Sequence, residues 1–148
     1  MQNPDAWILA QWPWRIAGAL TLRGLIKRED RNEKMFVAAL GLFEQMTKVK
    51  RKMLHWYVSI EIGRIERREH FHFLLGGFPP DAVTRGTCRL LRECWRGKGG
   101  GFSEIHFFDA ARDLAYVTKA AGALTDRTGG PWYSQTILLG NPLLRRLT

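Results

Sequence analysis

His70 and His72 stand two residues apart in a segment where Phe71, Phe73 and Leu75 alternate with His70, His72 and Leu74. That alternation is the period of a β-strand, so the imidazoles project from one face and the phenyl groups from the other. Upstream, Trp56, Val58, Ile60 and Ile62 alternate with Tyr57, Ser59 and Glu61, and a short basic turn from Gly63 to Arg68 joins the two segments. A hairpin centred between Ile65 and Glu66 pairs residues whose numbers sum to 131, which sets Glu61 opposite His70. Two imidazoles and a carboxylate on one sheet face suit Mn²⁺, Mg²⁺ or a similar divalent ion and leave coordination positions for a phosphate. Solvated strand histidines give the same pattern; the opposing glutamate and the apolar alternation weigh against that reading. A different register would bring Glu66 or Glu69 in place of Glu61.

The second chemically suggestive pair is Tyr116 and Lys119, three apart in a segment with helical spacing. They share one helix face, which sets the ammonium near the phenol or near a phosphate that the phenol attacks. A phenol of ordinary pKa, about 10, is a poor nucleophile at neutral pH, and a neighbouring cation stabilises its phenolate and the charge that develops on phosphorus. A buried tyrosine beside a snorkelling lysine is the plainer alternative.

These residues need a scaffold. Ala17 to Arg23 reads as a first strand after a Trp-rich lead of Trp7, Trp12 and Trp14, and the apolar stripe from Met35 to Met53 predicts a helix over Asp30 to Lys52. Pro79-Pro80-Asp81 signals the start of a second helix running to Arg96, followed by a loop through Gly97-Lys98-Gly99-Gly100-Gly101. Ser103 to Phe108 reads as a fourth strand, and Asp109 as the N-cap of a third helix from Ala110 to Ala123. The expected fold is α+β, a β-α-β-β-α-β-α antiparallel sheet of ferredoxin-like or RRM-like type with helices packed on it. Two helices cover one sheet face, leaving the other for the third helix and a ligand. Residues 1–16 form the lead, 17–128 the domain and 129–148 a tail after Gly129-Gly130-Pro131.

The segment Glu61 to Leu75 resembles the histidine-hydrophobe-histidine motif of the HUH endonucleases, in particular the nuclease domain of rolling-circle replication initiators. Tyr116-Val-Thr-Lys119 is similar to that family's Tyr-x-x-Lys motif, and Ala19-Leu-Thr-Leu22 loosely resembles its Thr-bearing first motif. The motif order matches from about residue 15 to 124. The resemblance implies metal-dependent, site-specific nicking and religation of single-stranded DNA at an origin sequence or hairpin. It assigns the metal to Glu61, His70 and His72, attack to Tyr116 through a 5′-phosphotyrosyl intermediate, and charge stabilisation to Lys119. Ala120 occupies the next helical turn, so single-tyrosine chemistry is implied. Single-tyrosine transposases and relaxases use similar parts, although relaxases usually place the tyrosine before the histidines. A non-catalytic, RRM-like binder of single-stranded nucleic acid is the rival of another class.

Charge agrees with a polyanionic partner: 23 Lys and Arg against 14 Asp and Glu give +9 over 148 residues, of which 45% are hydrophobic, enough for one globular core. Arg64, Arg67 and Arg68 crowd the hairpin and are the candidate DNA contacts, while Arg85, Arg89, Arg92, Arg96 and Lys98 form a second basic series. The exposed members among Trp12, Trp14, Trp56 and Tyr57 are candidates for stacking bases. No apolar run is long enough for a membrane span and no signal-peptide layout opens the chain, so an intracellular protein is expected, in a prokaryotic host or in the compartment where a virus or plasmid replicates. No Walker-type phosphate loop occurs, so the chain reads as an isolated nuclease domain or as a small initiator that recruits a separate helicase. Cys88 and Cys94, six apart, lie about 240° apart around a helix and read as reduced, partly buried thiols.

Overall fold

The structure, a computed structural model, describes residue 10 and residues 13–22, 29–62, 69–115 and 138–139. In chain order these form β1 (Trp14–Leu22), α1 (Glu29–Met46), a 3₁₀ turn (Arg51–Met53), β2 (His55–Ile62), β3 (Glu69–Gly76), α2 (Arg85–Gly97) and β4 (Gly100–Phe107). A helical stretch over 110–115, here α3, and the two-residue β5 (Leu138–Leu139) follow. The strands make one antiparallel sheet in the order β4-β1-β3-β2-β5, an α+β fold as expected. The short β5, which pairs with Tyr57 and Val58 on the outer edge of β2, has no counterpart among the elements expected from the sequence.

Alternation divides the sheet into two faces. One carries Ile16 and Leu20 of β1, Val58 of β2, Phe73 and Leu75 of β3 and Ile105 of β4, and α1 and α2 cover it with Phe36, Leu40, Phe43, Leu91 and Trp95. The opposite face buries Ala17, Tyr57 and Leu74 against Phe108 and Leu114, the last from α3. Trp14 joins this second cluster, although alternation from Ile16 would send it to the first. A register shift between Trp14 and Ile16 inserts one residue and reverses the facing, as a bulge does. Trp14, Trp56 and Tyr57 are all buried, so these three aromatic side chains are core rather than base-stacking platforms; Trp12 lies outside the described residues.

Both long helices differ at an end from the sequence expectation, and each difference has a local cause. Helix α1 stops at Met46 because the Thr47 hydroxyl turns back to donate to the Phe43 carbonyl (2.8 Å) and accepts from the Val49 N–H (3.1 Å). Met53, placed in the helical stripe by spacing alone, is 58% exposed. Helix α2 starts at Arg85 rather than at the prolines, where Ala82 N–H closes a turn on the Pro79 carbonyl (2.9 Å). Its N-cap is Thr84, in a reciprocal box: the Thr84 hydroxyl accepts from Thr87 N–H, and the Thr87 hydroxyl accepts from Thr84 N–H (2.9 Å) while donating to the Ala82 carbonyl (2.7 Å). Thr84→Ala is therefore expected to lower unfolding free energy by about 1 kcal/mol in urea denaturation, with an unchanged m-value.

The glycine run is shorter as a loop than its composition suggests. Gly99, at φ +91°, reverses the chain after α2, a conformation that favours glycine, and Gly100 and Gly101 already belong to β4. A Cβ on Gly100 would collide with the Trp95 indole, whose Nε1–H donates to the Thr21 carbonyl (3.0 Å) and ties α2 to the end of β1. Cys88 and Cys94 are free thiols, both buried in α2, and burial pushes both pKa values up.

Candidate functional site

The β2–β3 register places Glu61 opposite His70 and Ser59 opposite His72, the pairing obtained from the hairpin arithmetic. On its other side β3 pairs with β1, so that His70 faces Thr21 and His72 faces Ala19. For Glu61 and His70 the description is of the backbone alone. The hairpin turn with Arg64, Arg67, Arg68 and the alternative ligand Glu66 lies outside the described residues, as do Tyr116 and Lys119; Glu69 begins β3, paired with Ile62.

His72 is half-buried and lines a cleft of about 150 Å³ on the face opposite α1 and α2. Its floor is the β1 segment Ala17-Gly18-Ala19, whose small side chains leave the space between β3 and β4 open. The walls are His72 from β3, Glu104 and His106 from β4, and Arg112 and Asp113 from α3. Because Ala19 pairs with both His72 and Glu104, those two positions lie in one row across the three strands. Gly18 points to the other face, where a Cβ would meet the Glu104 carbonyl; glycine lets β1 and β4 approach there.

The cleft contains a polar arrangement that sequence reading missed. His106 Nε2 lies 2.7 Å from Asp113 Oδ1, and the Asp113 side chain is 5% exposed. Asp113 Oδ2 accepts the Asp109 N–H (2.7 Å), and Arg112 Nε is 3.4 Å from Oδ1. Asp109 is the helix cap foreseen from the sequence, its Oδ1 accepting from Ala111 N–H at 3.1 Å. An acidic residue four positions after that cap was the available signal for Asp113, but only the fold brings it to a histidine of the preceding strand.

Among the described residues no three His, Cys, Asp or Glu side chains form a metal-ligand set. The chemistry of the Glu61, His70 and His72 positions still fits a divalent ion: one carboxylate and two imidazole positions at adjoining register sites of a single hairpin. Of the second basic series, Arg85, Arg89, Arg92, Arg96 and Lys98 are all exposed on or just after α2, and Arg92 Nη2 donates to the Ile105 carbonyl (2.6 Å). No helix among the described residues is long and apolar enough to cross a membrane.

No family model matches the chain, and no curated protein matches it in sequence. Among solved structures it is similar to the N-terminal nuclease domain of the non-structural protein-1 of minute virus of mice, a domain described with Zn²⁺ coordination in its active-site pocket and with DNA recognition at the origin of replication. The likeness has a TM-score of 0.41 and 11% identity, and covers 93% of this chain and 73% of that one. A likeness that distant does not assign the chain to a family.

Proposed function

We propose that this chain is a single-tyrosine nuclease domain of HUH type that nicks and religates single-stranded DNA at a replication origin. The observation that carries the reading is the convergence of elements on one face. Helix α3 packs its Leu114 on the sheet face whose cleft is lined by His72, and the chain reaches Tyr116 one residue after the described part of that helix. The sequence reading puts the domain at residues 17–128 between a lead 1–16 and a tail 129–148; β1 begins at Trp14 and β5 (Leu138–Leu139) pairs with β2, so residues on both sides of that span belong to the sheet.

In this reading Glu61, His70 and His72 hold a divalent ion, Mn²⁺ or Mg²⁺, with Glu66 and Glu69 as the alternatives to Glu61. Such an ion, when bound, supplies Lewis acidity at a non-bridging oxygen of the scissile phosphate. Tyr116 attacks phosphorus: its oxygen–phosphorus bond forms, the bond to the 3′-oxygen breaks, and a 5′-phosphotyrosyl linkage and a 3′-hydroxyl result. Lys119 offsets negative charge on the phenolate and on the phosphoryl oxygens.

The testing experiment incubates the full chain with a pool of single-stranded oligonucleotides and Mn²⁺ and locates any covalent adduct by mass spectrometry. An adduct on Tyr116 is expected. An adduct on Tyr57 or Tyr133 overturns the assignment of the nucleophile, and single-strand binding with no adduct leaves a non-catalytic RRM-like binder.

DNA affinity is expected to fall steeply with salt, because a chain of +9 releases counterions from the phosphates it neutralises. Reversing Arg67 and Arg68 together to Glu should flatten the log–log salt slope by roughly 1.4, about 0.7 for each single-strand phosphate that is no longer neutralised. The check is a fluorescence-anisotropy titration across salt concentrations; an unchanged slope moves the DNA path to another face, with the exposed arginines of α2 the next to vary.

A further inference from the structure

His106 and Asp113 belong to none of the motifs that suggest the nuclease reading, yet they occupy the same cleft as His72. The Asp113 carboxylate is buried and faces donors at both oxygens: the Asp109 N–H at Oδ2, and the Arg112 Nε–H and the His106 ring at Oδ1. A carboxylate so placed acts as acceptor and orients His106 Nε2–H toward it, which in the neutral tautomer leaves Nδ1 as the ring's acceptor. Nδ1 is 3.9 Å from Glu104 Oε1, beyond hydrogen-bond reach, on a residue that lines the cleft. A buried carboxylate that fixes the tautomer and orientation of a cleft-lining imidazole is the arrangement used for proton transfer to and from a reacting hydroxyl.

We propose that His106, oriented by Asp113, is the proton acceptor for the hydroxyl that attacks a phosphodiester in this cleft. The inference rests on the nuclease reading, in which that hydroxyl is the Tyr116 phenol. As the phenolic oxygen bonds to phosphorus, its proton passes to His106 Nδ1; the bond from phosphorus to the 3′-oxygen breaks, and that oxygen takes a proton from water. On religation the 3′-hydroxyl attacks phosphorus and gives its proton back to solvent, the phosphorus–phenol bond breaks, and the imidazolium returns its proton to the departing phenolate oxygen. His106 is thus a catalytic residue, and Asp113 a positioning residue that acts through it.

The test uses the full chain, Mn²⁺ and a single-turnover assay of adduct formation on a cleavable oligonucleotide. His106→Ala should slow adduct formation by roughly 10²- to 10³-fold, the range of one proton-transfer group, and added imidazole should restore part of the rate by occupying the vacated space. Asp113→Asn should slow wild type by a smaller factor and add no further loss in the His106→Ala background, because it acts only through the ring. His106→Gln keeps an amide N–H for Asp113 and is the variant read if His106→Ala fails to fold; it should be slow and insensitive to imidazole. A full rate in either His106 variant overturns the proposal while leaving the nuclease reading in place, as does a slow His106→Ala that folds but does not respond to imidazole. A wild-type chain that forms no adduct overturns the nuclease reading and this inference with it.

Discussion

Tyr116→Phe is expected to abolish covalent attachment to single-stranded DNA, a loss of roughly 10³-fold or more, while oligonucleotide binding stays within about twofold of wild type. The change removes one hydroxyl and no ring atoms, so whatever packing the ring makes is retained. The contrast between lost chemistry and kept binding separates a nuclease from a single-strand binder of the same fold. Tyr57 is excluded as the nucleophile on structural grounds, because its side chain is 4% exposed and buried with Trp14, Ala17 and Leu74. Lys119→Ala should slow the reaction by roughly 10- to 100-fold without abolishing it, since nucleophile and metal ligands remain. Nicking at full rate by Tyr116→Phe, measured on a labelled oligonucleotide, would refute the mechanism.

The double replacement of His70 and His72 by Ala should weaken Mn²⁺ binding on the order of 100-fold or more and remove cleavage with it, because two of the three protein donors are removed. Folding should survive. The core on the α1 and α2 side is built from Phe73 and Leu75 of the same strand, and His72 stands at the cleft rather than in that core. Isothermal titration with Mn²⁺, alongside a thermal melt, reads the two effects separately; unchanged metal affinity in the folded double variant sinks the ligand assignment. Glu61→Gln should weaken binding more than Glu66→Gln or Glu69→Gln, since in the observed register Glu61 is the residue opposite His70 while Glu69 pairs with Ile62.

Some of this protein was legible in one dimension. The β2–β3 hairpin follows from two runs of period two, and antiparallel pairing turns a guess at the turn centre into every pair along it, including Glu61 with His70. The two-faced sheet follows from the same alternation. Asp109 was legible as a cap because capping is a contact between near neighbours, here the Ala111 N–H two residues on.

Other features depended on interactions that periodicity does not encode. The end of α1 is set by one hydroxyl, Thr47, choosing a backbone partner, and the start of α2 by two threonines exchanging hydrogen bonds downstream of a more conspicuous proline pair. Trp14 faces its cluster only because a bulge in β1 reverses the alternation. The cleft exists because β1, with its Ala17-Gly18-Ala19 floor, is inserted between β3 and β4, an order that chain sequence does not display. His106 and Asp113 are seven residues apart but belong to different elements, a strand and a helix, so no single period relates them; they meet because the chain turns at Phe108 and Asp109 to bring the first turn of α3 back over the end of β4. The sequence by itself thus determined which residues alternate and which pair within a hairpin, since those are short-range and periodic; the tertiary structure decided which non-periodic residues share a cleft, since that follows from strand order and from where each helix begins.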